Sequence, residues 1–247
     1  VIDPIILTES YFWFNVIFNC ILNGRKIHKI LLTQKNYLEL EEFLQKNKIK
    51  FLKNLIEICD KKRIDKEFTE DVSHQSIIAK IDQISLLNEN EFLVKKFNHK
   101  PHILILDQIT DPQNIGAIIR SAFAFNFEYV FVDKRHFPVK SHAIFKSSTG
   151  YIDNIKLHSY GNLNNLLENL KKIDYWCVGL DGSASKDISE VRNLENIALV
   201  LGSEGSGIRS LVKKNCDLLV KIQMSPKAES LNVSNAAAII MNQIFSS

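Results

Sequence analysis

The chain has 247 residues, 45% of them hydrophobic and 24% charged, with a formal net charge of +3. That length allows one large domain or two modest ones, and the balance is that of an ordinary globular protein, not a disordered or fibrous one. So small a positive excess permits contact with nucleic acid without demanding it.

The first apolar stretch, Tyr11 to Leu22, is too short to cross a bilayer, and Asp3 and Glu9 precede it where a secretory signal would carry positive charge. Asn15, Asn19 and Asn23 recur every four residues, a polar stripe on an otherwise apolar helix packed on its own domain. The chain begins with Val1, not Met, so its true start either precedes this residue or is written as translated. A strand at Lys29–Leu32, a helix near 36–47, and strands at Lys50–Leu52 and Ser76–Ile81 complete an α+β first part. Between Gly24 and Lys66 there are 12 Lys and Arg against 6 Asp and Glu, a surplus that suits phosphates or a solvated helix face. A short charged helix from Asn88 to Phe97 and the sequence His99-Lys100-Pro101 mark a domain boundary.

Beyond Pro101 strand and helix alternate. Strands are expected at His102–Leu106, Tyr129–Val132, Tyr175–Leu180, Ile197–Leu201 and Leu218–Ile222, and helices over 112–126, 162–172, 206–214 and 234–245. Near-continuous apolar strands between helices predict a buried, largely parallel sheet. The expected division is therefore residues 1–87 as a first domain, 88–100 as a linker and 101–247 as an α/β domain. The four cysteines form no CxxC pair and the seven histidines no HExxH, so no disulfide framework and no catalytic metal are expected, and a reducing cytoplasm suits the chain.

Three segments of this second part place small or polar residues at strand–helix junctions, where an open α/β sheet binds its ligands. The first is Asp111-Pro112-Gln113-Asn114-Ile115-Gly116, with Arg120 one turn later. Asp111 is a good N-cap and Pro112 a good first helical residue, and an Arg on so apolar a helix is expected to need a partner. The second, Leu201-Gly202-Ser203-Glu204-Gly205-Ser206-Gly207, gathers three of the nine glycines after one strand. Its spacing fits neither a dinucleotide fingerprint, nor a P-loop, nor a hydrolase elbow. The third, Ser230-Leu231-Asn232-Val233-Ser234-Asn235-Ala236, holds more short polar groups than simple capping by Ser234 requires.

Taken together and in this order, NxGxxxR at Asn114, Gly116 and Arg120, LGxEGxG at Leu201 to Gly207 and SLNVSxA at Ser230 to Ala236 resemble the SpoU (TrmH-like) branch of the SPOUT methyltransferases. Two departures sit in the third motif, with Gln223 at a usual proline and Pro226 at a usual glycine. The first part more weakly resembles the ribosomal-protein-like RNA-binding domain of the RlmB group through His74-Gln75-Ser76-Ile77, with Ser76 at a usual glycine. The resemblance implies an α/β fold with a deep trefoil knot and a smaller α+β RNA-binding domain in front of it. It also implies a homodimer with active sites at the subunit interface, no membrane and no metal. The implied reaction moves a methyl group from S-adenosyl-L-methionine to a ribose 2′-hydroxyl of RNA, with a guanosine of 23S rRNA as the expected target. A tRNA guanosine, or an inactive RNA-binding or ribosome-assembly role, are the alternatives. Carried over by motif position, Asn114, Arg120, Glu204, Ser230 and Asn232 form the reaction site, while Gly202, Gly205, Ile222, Leu231 and Ser234 hold the cofactor.

Overall fold

The computed structural model describes residues 5–7, 13–50, 53–67 and 76–246. The chain divides into two compact units, residues 1–84 with 139–153, and residues 85–138 with 154–247.

The first unit holds β1 (Ile5–Leu7), α1 (Trp13–Leu22), β2 (Ile27–Leu32), α2 (Gln34–Lys46), β3 (Ile56–Ile58), α3 (Lys61–Asp65) and β4 (Ile77–Ile81). Its sheet runs β1-β4-β2-β3, antiparallel except for the parallel β2–β3 pair. Helix α1 buries Val16, Ile17 and Cys20 in the unit, as its apolar pattern predicts, while Asn19 of the polar stripe donates to the Thr149 carbonyl at 3.0 Å. The strand expected at Lys50–Leu52 and the residues His74 and Gln75 lie at or within the stretches outside the described residues.

The expected division differs from the observed one in two places. Residues 139–153, which carry α6 (His142–Ser147), belong to the first unit, because Arg25 donates to Asp153 at 2.7 Å and to the carbonyls of Asp82 and Gln83 at 2.9 Å. The segment 88–100, read as a linker, instead begins with structure of the second unit: β5 (Leu87–Asn88) and α4 (Glu89–Leu93), started by a capping box between Asn88 and Glu91.

The second unit continues with β6 (Ile103–Asp107), α5 (Pro112–Ala124), β7 (Tyr129–Asp133), β8 (Lys156–Tyr160), α7 (Leu163–Lys172), β9 (Trp176–Leu180) and β10 (Lys186–Asp187). It ends with β11 (Ile197–Gly202), α8 (Ser210–Asn215), β12 (Leu218–Lys221) and α9 (Val233–Phe245). The eight strands are ordered β10-β12-β9-β11-β6-β7-β8-β5, and every pairing is parallel. Ile103, Ile105, Tyr129, Phe131, Ala198 and Val200 pack into one core with α4, α7 and α8. Their alternates Leu104, Leu106, Val130, Val132, Leu199 and Leu201 are equally buried on the other face. Strand residues alternate in direction, so a sheet covered on both faces reads as unbroken apolar runs. After β11 the chain passes beyond β9 to form β12 on its far side, and α9 then returns to lie against α5.

Candidate active site

The carboxyl ends of β9, β11 and β12 open into a cleft of about 680 Å³, within the range of small-molecule and cofactor sites. Leu180, Ile222, Leu231 and Val233 supply apolar walls, and Gly202, Gly205, Gly207, Ser230 and Asn232 line the rest.

The glycine loop owes its shape to backbone constraints. Gly205 and Gly207 have φ of +86° and +63°, which side chains on L-residues disfavour. The loop folds back so far that a Cβ on Gly202 would lie 2.1 Å from the Gly207 carbonyl carbon and 2.2 Å from the Ile208 nitrogen. The return is closed by the Gly207 amide donating to the Ser203 carbonyl at 2.9 Å, with the Ser203 and Ser206 hydroxyls 2.6 Å apart. The helix expected to start at residue 206 therefore starts at Ser210.

One side chain ties the three motifs together. Asn232 donates through its amide nitrogen to Glu204 Oε1 at 2.5 Å and to Asn114 Oδ1 at 2.9 Å. Glu204 Oε1 also accepts from the Val233 amide at 3.3 Å. The Asn232 side-chain oxygen accepts from the Ser234 amide at 2.9 Å and from its hydroxyl at 2.5 Å, so Asn232 is the N-cap of α9. Capping thus falls to Asn232, not to Ser234. Asn114 is held in place by its own helix, since Asp111 caps α5 through the Gln113 and Asn114 amides, both at 3.2 Å.

Arg120 stands apart from this hub. It is exposed and makes no hydrogen bond or ion pair among the described residues, so the partner expected from the apolar character of α5 is not required. The helix meets the cost of its charge by turning it to solvent, while Ile115, Ile118, Ile119 and Ala122 face inward. Ser230 and Leu231 are exposed at the cleft rim, Ile222 is half-buried, and Gly205 is exposed.

Three aspartates at strand ends escaped the sequence motifs. Asp107, fully buried at the end of β6, accepts from Arg209 through Nε at 2.8 Å, through the terminal nitrogen at 2.7 Å and through the amide at 3.1 Å. Asp181, just after β9, accepts from the Ser183 amide at 2.9 Å and hydroxyl at 2.5 Å and pairs with Lys213. Burial pushes the Asp181 carboxyl up, but Lys213 and Ser183 outweigh it and hold it below the usual carboxylate range. These two carboxylates clamp both ends of the 209–213 segment and so fix the exit of the glycine loop. Asp133 ends β7 in the same way. The signal available was an Asp closing each of three apolar runs. Burial raises the Cys177 and Cys216 thiols to about 12, which removes them as nucleophiles.

The sequence profile of the SpoU rRNA methylase family matches residues 101–242. The chain belongs to that family. It is 31% identical over 237 residues to YacO of Bacillus subtilis (strain 168), described as a TrmH-family tRNA/rRNA methyltransferase, covering 94% of this chain and 92% of that protein. Among solved structures, the SpoU methyltransferase AviRb from Streptomyces viridochromogenes, in complex with AdoMet, superposes with a TM-score of 0.78 at 18% identity, covering 99% of this chain and 90% of the other. The AdoMet-bound rRNA methyltransferase from Sinorhizobium meliloti gives 0.76 at 17% identity, covering 98% and 87%. The fold is thus that of the SpoU methyltransferases, and this family member is an RNA methyltransferase that uses S-adenosylmethionine.

The cleft fits such a cofactor. The backbone of the Gly202–Gly207 loop lines the cleft and offers polar groups to a ligand, the apolar walls suit an aromatic base, and Glu229 at the rim offers a carboxylate to an ammonium group. Among the described residues no group of three or more His, Cys, Asp or Glu could hold a metal ion, and no helix is long and apolar enough to cross a membrane.

Proposed function

We propose that the chain methylates the ribose 2′-hydroxyl of a guanosine in 23S rRNA. The observation that carries this reading is the hub of Asn114, Glu204 and Asn232 at the rim of the glycine-lined cleft, with Arg120 farther along the Asn114 helix and held out to solvent. When bound, S-adenosylmethionine supplies a methyl group already activated on sulfur, so the protein's task is chiefly alignment. Gly202, Gly205, Ile222, Leu231 and Ser234 hold the cofactor, mostly through backbone and small side chains. Asn114, Glu204, Ser230 and Asn232 orient the ribose.

A guanidinium scarcely gives up its proton in a protein, which makes an arginine a poor general base. The role of Arg120 is to clamp a substrate phosphate and stabilise the negative charge developing on the ribose oxygen. The proton leaves to a phosphate oxygen, water or a nearby side chain. A second copy of the chain completes the site: the packed helices α5 and α9 expose Phe123, Ile239 and Phe245, an apolar surface suited to a homodimer. Each Arg120 then serves a cleft of the other subunit. Support for an rRNA target comes from the rRNA methyltransferase neighbour, which aligns with nearly the whole chain, and from the basic stretch between Gly24 and Lys66, which would recruit the RNA.

The test is transfer of labelled methyl from the cofactor to rRNA and to tRNA, followed by mapping of ribose methyls in cells with and without the gene. Arg120→Ala should lose activity by ~100-fold or more with unchanged folding. Near-wild-type transfer by that variant overturns the assigned role, and a lost methyl on tRNA alone overturns the target.

A further inference from the structure

The carboxyl edge of the sheet carries a second feature, next to the cleft but outside it. Gly202 on the cleft strand pairs in register with Asp107, and Leu106 pairs with Val132, the residue before Asp133. At ordinary strand spacing, Asp133 stands two strands, or about 10 Å, from Gly202. Both aspartates are buried, with 0% and 4% exposure, and each anchors cations that reach solvent.

Asp133 accepts from the Arg135 amide at 2.9 Å and its carbonyl from the His136 and Phe137 amides at 3.2 and 3.1 Å, closing a tight turn. The buried Phe137 ring fixes the far end. The turn therefore presents Lys134, Arg135 and His136 outward in succession. Arg135 and His136 touch the Asp133 carboxylate at 3.4 and 3.2 Å, yet their side chains are 68% and 48% exposed. Arg209, bound to Asp107 by one edge of its guanidinium, is 39% exposed and keeps further N–H donors free. Because Leu106 pairs with Val132, Asp107 and Asp133 close neighbouring strands side by side, and the cations they hold share one edge of the sheet. Asp111, the exposed carboxylate of the neighbouring 108–111 loop, is occupied in capping α5.

Cations anchored from below, with their anions sealed inside, form a surface prepared for anionic groups. The geometry points to a phosphate-binding ridge, Lys134, Arg135, His136 and Arg209, that holds the sugar–phosphate backbone of the substrate RNA beside the cofactor cleft. It rests on the proposed reading of the chain as an RNA-modifying enzyme and names the surface that reading leaves open. Backbone contacts of this kind position the substrate without reading its sequence.

The test is filter binding of deproteinised ribosomal RNA to the full chain between about 50 and 200 mM KCl. Wild type is compared with the triple variant Lys134→Ala, Arg135→Ala, His136→Ala, and with Lys172→Ala on α7 as a control. Loss of two or three phosphate contacts should lower the slope of log affinity against log salt by roughly 1.5–2. Affinity at low salt should fall at least about tenfold. Calorimetric affinity for S-adenosylmethionine should match wild type, which separates the ridge from a folding or cofactor defect, while the melting temperature falls because the buried Asp133 loses the Arg135 and His136 side chains. The double variant Arg135→Lys, His136→Lys carries, with the native Lys134, a cation at all three positions and should keep at least the wild-type slope. A triple variant that binds RNA like wild type, or a control or lysine variant that loses as much as the triple variant, overturns the ridge alone. A wild type that binds neither cofactor nor RNA overturns it together with the reading beneath it.

Discussion

Replacing Gly202 by alanine tests whether the glycine loop is built by close approach. The added Cβ would meet the Gly207 carbon at 2.1 Å, the Ile208 nitrogen at 2.2 Å and the Gly207 oxygen at 2.3 Å, all of them backbone atoms. Ordinary carbon contact begins near 3.5 Å, so the returning strand must retreat by roughly 1.4 Å. No rotamer change relieves this. The cost should sit at or above the upper end of the ~1–3 kcal/mol typical of overpacking. For a chain of this size that lowers the melting temperature by roughly 6–12 °C. A shift of that size would also misplace Glu204 by enough to lose on the order of 100-fold in methyl transfer. Gly205→Ala is the contrast: nothing lies within 4 Å of its Cβ, and only the φ of +86° opposes it, at about 1–2 kcal/mol. Thermal melts and cofactor calorimetry on both variants decide the matter. If Gly202→Ala melts as wild type does, or Gly205→Ala proves the less stable of the two, the close-approach argument is refuted.

Three further outcomes follow from the geometry. Asn232→Ala should cost ~1 kcal/mol as a lost helix cap, whereas Asn232→Asp keeps the cap but sets a carboxylate against Glu204. Activity should therefore collapse in both while stability falls mainly in the first, and an active Asn232→Asp enzyme would dismiss the hub. Arg209→Leu strips the fully buried Asp107 of its charge partner and should cost about 3 kcal/mol, the lower end for a broken buried pair because the guanidinium is 39% exposed. Adding Asp107→Asn should recover at least ~1 kcal/mol in urea unfolding, and strict additivity would contradict the coupling. His158, 2% exposed, donates from Nδ1 to the Asn88 carbonyl at 3.0 Å, and burial holds its ring below the usual histidine range. The unfolded chain then protonates first, near pH 6.5, so stability is complete above that value and declines as the pH falls toward the folded-state value. His158→Phe should melt with a shallower slope than wild type between about pH 6.5 and 5, and an unchanged slope would contradict the assignment.

Strands β6, β7, β9, β11 and β12 of the second unit were legible because both sheet faces are covered, which writes each of them as an apolar run, whereas the two-residue edge strands β5 and β10 carry no such run. β8 was not: Lys156-Leu157-His158-Ser159-Tyr160 carries polar atoms that are buried only with specific partners, such as the Tyr160 hydroxyl on the Leu106 carbonyl at 2.8 Å. No pattern of hydropathy encodes that partner. Segment 139–153 was unreadable for a similar reason, since its place depends on the Arg25–Asp153 bond across 128 residues. At the site, motif spacing named Asn114, Glu204 and Asn232, which the fold joins. It could not say that Arg120 would face solvent, because helix periodicity fixes the relative phase of residues but not which face meets the sheet. Nor did it reveal the carboxylates beneath the loops, each of which looks like an ordinary turn residue until its cation is found.

The Asn232 hub also makes two peptide groups into reporters. The amides of Val233 and Ser234 begin α9, and their acceptors are Glu204 and Asn232 themselves. Ordering of the helix start and assembly of the reaction site are therefore a single equilibrium. Hydrogen exchange at these two positions would record how often the site opens, in a molecule at rest and with neither substrate nor turnover in the tube.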